Sequence, residues 1–105
     1  MPLTVTRRIT FDATSGGRSF SYALEISVTG PLDPRSGTVA DFLALRDVGR
    51  DVAGRVIGGG SVEPPTAENL VIALWPELAA RVRPAELVRL RLWETPNHSV
   101  EYDGR

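Results

Sequence analysis

The stretch PTAENLVIALWPELAARVRPAELVRLRLWETP, residues 65–96, holds a helix start, an apolar stripe, a stop and a strand, in that order. Pro64 and Pro65 keep the chain extended, and Thr66 is a helix N-cap whose hydroxyl accepts from a free amide of the first turn. Leu70, Val71, Leu74, Leu78 and Val82 recur at helical spacing and predict the buried stripe of a helix that begins at Ala67. Pro76 lies inside that stripe, where the missing N–H and the bulky ring predict a kink or local break near Ile72 to Trp75. Pro84 ends the helix. From Leu87 to Glu94 the period changes to two, with Val88, Leu90 and Leu92 as inward candidates, and the strand finishes on a lone carboxylate, Glu94.

Outward from there, the other elements follow the same two periods. Residues 3–12 alternate as a strand, with Val5, Arg7, Ile9 and Phe11 on one side and Thr4, Thr6, Arg8 and Thr10 on the other. Residues 13–17 read as a turn. Residues 19–29 give a second strand with Phe20, Tyr22, Leu24, Ile26 and Val28 on one face, so the pair predicts an antiparallel hairpin. Asp41 is a second N-cap, and Phe42, Leu45, Val48 or Gly49, Val52 and Val56 predict a helix over 42–56 that Gly58, Gly59 and Gly60 stop. Residues 95–98 read as a turn before a last strand over 99–102. The order β-β-α-α-β-β predicts an α+β fold, a four-stranded antiparallel sheet with two helices on one face. At 105 residues the whole chain, 1–105, is expected to form a single domain.

Composition removes several classes of chemistry. All twelve basic residues are arginine, cysteine is absent, and the only histidine is His98. No Schiff-base lysine, cysteine nucleophile or disulfide is available, and one histidine does not make the three- or four-ligand set of an ordinary zinc site. A formal charge of −1 with scattered arginines argues against nucleic acid as a partner. No apolar run approaches the roughly 20 residues that span a bilayer, and no export segment is evident, so no membrane partner is expected and the cytoplasm is the expected location.

The three stretches GTVADFLALR (residues 37–46), PTAEN (65–69) and LRLWET (90–95), in this order, resemble the 6-pyruvoyltetrahydropterin and 6-carboxytetrahydropterin synthases. The similarity runs along essentially the whole chain and is closest over residues 37–46 and 65–104. It implies the tunnelling fold (T-fold), in which three protomers' sheets close into a barrel and two such rings often stack. A homo-oligomer, trimer or hexamer, is therefore expected, and closure also removes the unpaired edges of an isolated sheet. By the resemblance, Glu94 is the carboxylate that pairs with the 2-amino and N3 protons of a pterin, a bidentate and charge-assisted contact. Thr66 and Glu68 fall on the helix-opening motif that adds polar contacts to that pocket.

The catalytic half of the family pattern is missing from this sequence. Its zinc ligands register near Ser15, Arg18 and Phe20, its cysteine-bearing loop has shrunk to residues 13–18, and its Asp-His pair falls near Ile57 and Gly58. Neither metal nor other cofactor is expected. Arg18 is a candidate for the positive charge a metal would have given, facing an anionic substrate group. Asp12 and Tyr22 are candidates for proton transfer, and His98 is the one side chain that titrates near neutrality unperturbed. Each of these residues also has a plain structural role open to it: Thr66 as a cap, Glu68 on the helix dipole, Glu94 at a strand end, His98 in an exposed turn. Trp75 and Tyr102 read as core or interface aromatics.

These features give a metal-independent enzyme on a pterin-synthase-like scaffold, catalysing a cyclisation, isomerisation or lyase step on a small heterocyclic or carbonyl substrate. A non-catalytic pterin- or purine-binding protein, and a structural subunit that keeps only the oligomeric scaffold, are the alternatives.

Overall fold

The computed structural model describes residues 3–15 and 18–105, with the side chains of 14–20 left out of that description. Its elements are β1 (Leu3–Ser15), β2 (Arg18–Gly30), α1 (Phe42–Val56), α2 (Ala67–Arg81), β3 (Glu86–Thr95) and β4 (His98–Tyr102). The four strands form one antiparallel sheet in the order β1-β2-β3-β4. Both helices lie on one face, α1 over β1 and β2, and α2 over β3 and β4. The expected α+β architecture is the one observed.

Alternation places Ile9, Leu24, Ile26, Val28, Leu90 and Leu92 on the helix side, where all are buried. Against them pack Leu45, Val52 and Val56 of α1 and Leu70, Val71, Leu74 and Leu78 of α2. Full burial of one such side chain contributes about 1.5–3 kcal/mol relative to exposure, so this layer dominates stability. Gly49 sets the approach of α1. A Cβ there would fall 2.7 Å from Cδ1 of Ile26 and 2.9 Å from Cδ1 of Ile9, two side chains sealed in the core. Phe42, expected on the stripe, is instead half exposed at the first turn of α1, one residue beyond the cap. The helices are joined at the surface by the ion pairs Arg55–Glu77 and Arg81–Asp51.

Several element boundaries differ from expectation. Ladder pairing carries β1 to Ser15 and starts β2 at Arg18, and likewise carries β3 to Thr95 and starts β4 at His98. The turn expected over 95–98 is therefore shorter, and of the one expected over 13–17, residues 16 and 17 lie outside the described residues. Leu87, not Val88, is buried, because Ser27 pairs with Arg89 and Val28 with Leu87, leaving Val88 as the extra residue of a bulge. Helix α2 runs unbroken through Pro76. Leu70, Val71 and Leu74 before the proline and Leu78 after it are all buried in the same core, which holds the helical turns on both sides of it in place.

Candidate functional site

The β1–β2 hairpin is longer than the rest of the sheet. β3 leaves β2 at the Ala23–Trp93 pair, while β1 and β2 continue together beyond it. The corner where the hairpin overhangs the end of β3 is an open cleft of about 680 Å³. Asp12, Tyr22 and Glu94 line it together with Arg8, Ser21 and Trp93. Three of the residues singled out in the sequence thus meet in one place.

Glu94 owes its position to a second bulge. Trp93 pairs with Ser99 and Thr95 with His98, so Glu94 is the residue left over between them. Bulges of this kind re-aim a side chain out of the strand's alternation. Here the carboxylate turns to the N-terminus of α2, where its Oε1 accepts the Ala67 N–H at 3.2 Å. The same helix end is capped from within by Thr66, whose Oγ1 accepts the Asn69 N–H at 3.2 Å. The positive end of the α2 dipole favours a negative charge at this point.

Tyr22 is buried and stacks on Phe11, with ring centroids 5.5 Å apart and 18° between planes. Burial first, and the negative charge of Glu94 second, push its phenol above the ordinary tyrosine range. At neutral pH it therefore carries its proton. Asp12 accepts a hydrogen bond from Ser21 Oγ at 2.7 Å. One wall is Trp93, whose Nε1–H donates to Glu25 Oε2 at 2.8 Å.

A model of the family "6-pyruvoyl tetrahydropterin synthase" matches residues 18–105. The chain belongs to that family. The 6-pyruvoyl tetrahydrobiopterin synthase of Drosophila melanogaster is 26% identical over 98 residues, covering 84% of this chain and 58% of the relative, so the chain spans little more than half of that protein. In fold it is similar to the 6-pyruvoyl tetrahydropterin synthase of Caenorhabditis elegans, with a TM-score of 0.78 at 20% identity, covering 100% of this chain and 97% of that one. β1 precedes the residues matched by the family model and is placed by this likeness of fold.

Thr66, Glu68 and His98 fall outside the cleft lining. Thr66 and Glu68 lie at the α2 terminus, the first as a cap and the second as the acidic residue of the first turn. They adjoin the site through the Glu94–Ala67 contact. His98 is exposed at the start of β4. Arg18 opens β2, and its side chain lies outside the described residues. The zinc implied by the family does not suit the donors present. The chain has no cysteine and one histidine, and among the described residues no three His, Cys, Asp or Glu side chains stand close enough to hold a metal ion. Arg8 and Ser21 went unnoticed in the sequence because strand register, not spacing, brings them to the cleft. Among the described residues no helix is long and apolar enough to cross a membrane.

Proposed function

We propose that the cleft binds a small planar heterocycle by its N–H edge at Glu94, and that the chain acts on it without zinc in an isomerisation, cyclisation or lyase step. The observation that carries this is the convergence of Glu94, Tyr22 and Asp12 on one cleft. A carboxylate has about four lone-pair positions, so the single Ala67 N–H leaves Glu94 room for two ligand N–H groups. Tyr22, held protonated, supplies a proton to a developing oxyanion or ring nitrogen, and Asp12 accepts one from the opposite part of the ligand. Arg18 and His98 stand as further candidates for charge and proton transfer, and Thr66 and Glu68 for polar contacts beside the anchor. A non-catalytic binding protein for the same heterocycle is the second reading. It is favoured by a lining that, among the described residues, holds no histidine. Turnover separates the two.

The chain is further proposed to work in the cytoplasm as one domain of a trimer-based homo-oligomer. The support is the open edges of β1 and β4, which closure of three sheets into a barrel would pair.

A thermal-shift screen with neopterin and guanosine tests the anchor, on protein also assayed for zinc. Neopterin is expected to raise the melting temperature of the wild type, and zinc to be well below one per chain. Glu94→Gln keeps one acceptor for Ala67 but presents a donor to the ligand's second N–H. It should leave the unliganded melting temperature nearly unchanged and weaken neopterin roughly 30- to several-thousand-fold. Unchanged affinity in Glu94→Gln would reduce Glu94 to a helix cap and end the ligand assignment.

A further inference from the structure

We propose that Glu25, which lines no part of the cleft, is a positioning residue for it, fixing Trp93 as a preset wall. The inference rests on the ligand-binding role proposed above. Its basis is the face of the sheet turned away from the helices. There Arg8, Glu25, Arg91 and Glu101 occupy one rung across all four strands, with charges alternating along it. The next rung towards the cleft is Thr10, Ala23, Trp93 and Ser99, three small residues beside one large indole.

The indole is held from three directions. Its N–H donates to Glu25 Oε2 at 2.8 Å, and the same oxygen accepts from Arg8 Nη1 at 3.0 Å. The guanidinium carbons of Arg8 and Arg91 each lie 5.7 Å from the ring centroid, within cation–π range. Ala23, opposite Trp93, is buried although it lies on the face turned away from the helices. The Glu25 side chain is only 18% exposed, against 53% for Arg8, so this carboxylate is the shielded hub of the cluster. A hydrogen bond to a shielded charged group is stronger and less readily exchanged with water than a neutral surface contact. With its rotamer set in advance, Trp93 costs a bound ring little ordering entropy. Glu25 acts on the ligand only through that indole.

The test uses the full chain in a Trp75→Phe background, so that Trp93 is the sole emitting tryptophan. Acrylamide quenching reads the mobility of Trp93 without ligand, and calorimetry reads neopterin affinity. Glu25→Ala should raise the quenching constant at least about twofold and weaken neopterin roughly tenfold. Glu25→Gln retains an acceptor for the indole N–H and should recover most of both changes. Trp93→Phe, which keeps a ring but loses the N–H, should weaken neopterin about as much as Glu25→Ala, and combining the two should add nothing. If Glu25→Ala leaves quenching unchanged, or if the two losses add in full, Glu25 does not position Trp93. A wild-type protein that takes up no neopterin overturns the ligand assignment itself, and with it the role of Glu25 in binding. Intact binding with unchanged quenching overturns the positioning alone.

Discussion

On the helix side of the sheet Leu24, Ile26, Val28, Leu90 and Leu92 are sealed from water, whereas on the other side the same strands carry the charged rung Arg8–Glu25–Arg91–Glu101. The first face stabilises the molecule by burying apolar surface and tolerates little change. The second is held by ion pairs whose partners are mostly a third to a half exposed, a setting in which each pair contributes little. The cleft draws on both. Phe11, Tyr22 and Glu94 come to it from the helix side, Arg8, Asp12 and Trp93 from the charged side. A site built at that border takes rigidity from one face and polar chemistry from the other.

The sharpest way to break this contrast is to truncate the sealed face. Leu24 has no exposed surface and lies at the centre of the core. Leu24→Ala should cost about 2–5 kcal/mol, the loss of transfer free energy plus the cavity left behind. Urea unfolding at fixed protein concentration measures it, since assembly would otherwise shift the apparent stability. A cost below about 1 kcal/mol would mean that the helix layer is not the main source of stability.

A smaller effect is expected where the two faces meet. The phenol of Tyr22 is pushed above its ordinary value of 10.0 by burial and by Glu94. The folded chain therefore holds this proton to higher pH than the unfolded chain does. The associated stability is fully present below the unfolded tyrosine pKa and is lost as pH rises through the higher folded value. Melting temperature should fall as pH passes about 10, and in Tyr22→Phe that part of the decline should be absent. In a Tyr102→Phe background, absorbance titration of Tyr22 in Glu94→Gln should shift to lower pH, since one of its two causes has been removed. An unmoved titration would show that Glu94 does not act on Tyr22 across the cleft.

How much of this was legible in the sequence depends on whether the controlling interaction is local. Asp41 caps α1 through the amides of Leu43 and Ala44, and Thr66 caps α2 through Asn69, all within three residues, so both helix starts could be read directly. The stripe of α2 was equally plain. The two bulges were not, because an extra residue in a strand is defined only by its partner strand. One of them moves burial from Val88 to Leu87, and the other turns Glu94 to α2. Resemblance picked out Glu94 as an anchor, but its contact with Ala67 belongs to the fold and not to the motif. Asp12 and Tyr22 were proton-transfer candidates by residue type, and the overhanging hairpin brings them to the site. His98 attracted attention as the only histidine, yet β4 starts it outside the cleft lining. Glu25 carried no signal at all, since nothing in its neighbourhood along the chain predicts an indole two strand positions away across the register.

For a sheet face open to solvent, the smallest effect is expected at the far end of the charged rung, and it tests what covers that face. Glu101 accepts from Arg91 Nη2 at 2.7 Å and lies 3.7 Å from Arg89 Nη1, with 45% of its side chain exposed. In a face open to solvent, Glu101→Gln should cost less than about 1 kcal/mol, and the cost should shrink further as salt rises towards 1 M, where charges are screened within about 3 Å. The contrast of the two faces predicts this outcome for an isolated chain. In a closed barrel the charged face would be enclosed by neighbouring copies, and the same substitution would leave Arg89 and Arg91 short of a partner away from bulk water. Removing one member of a buried pair costs about 3–5 kcal/mol and responds weakly to salt. Measuring Glu101→Gln together with the mass of the particle by light scattering therefore joins the two questions. A small, salt-sensitive loss in a monomer keeps the faces distinct, and a large, salt-insensitive loss in a trimer-based particle means that assembly has given the sheet a second buried side.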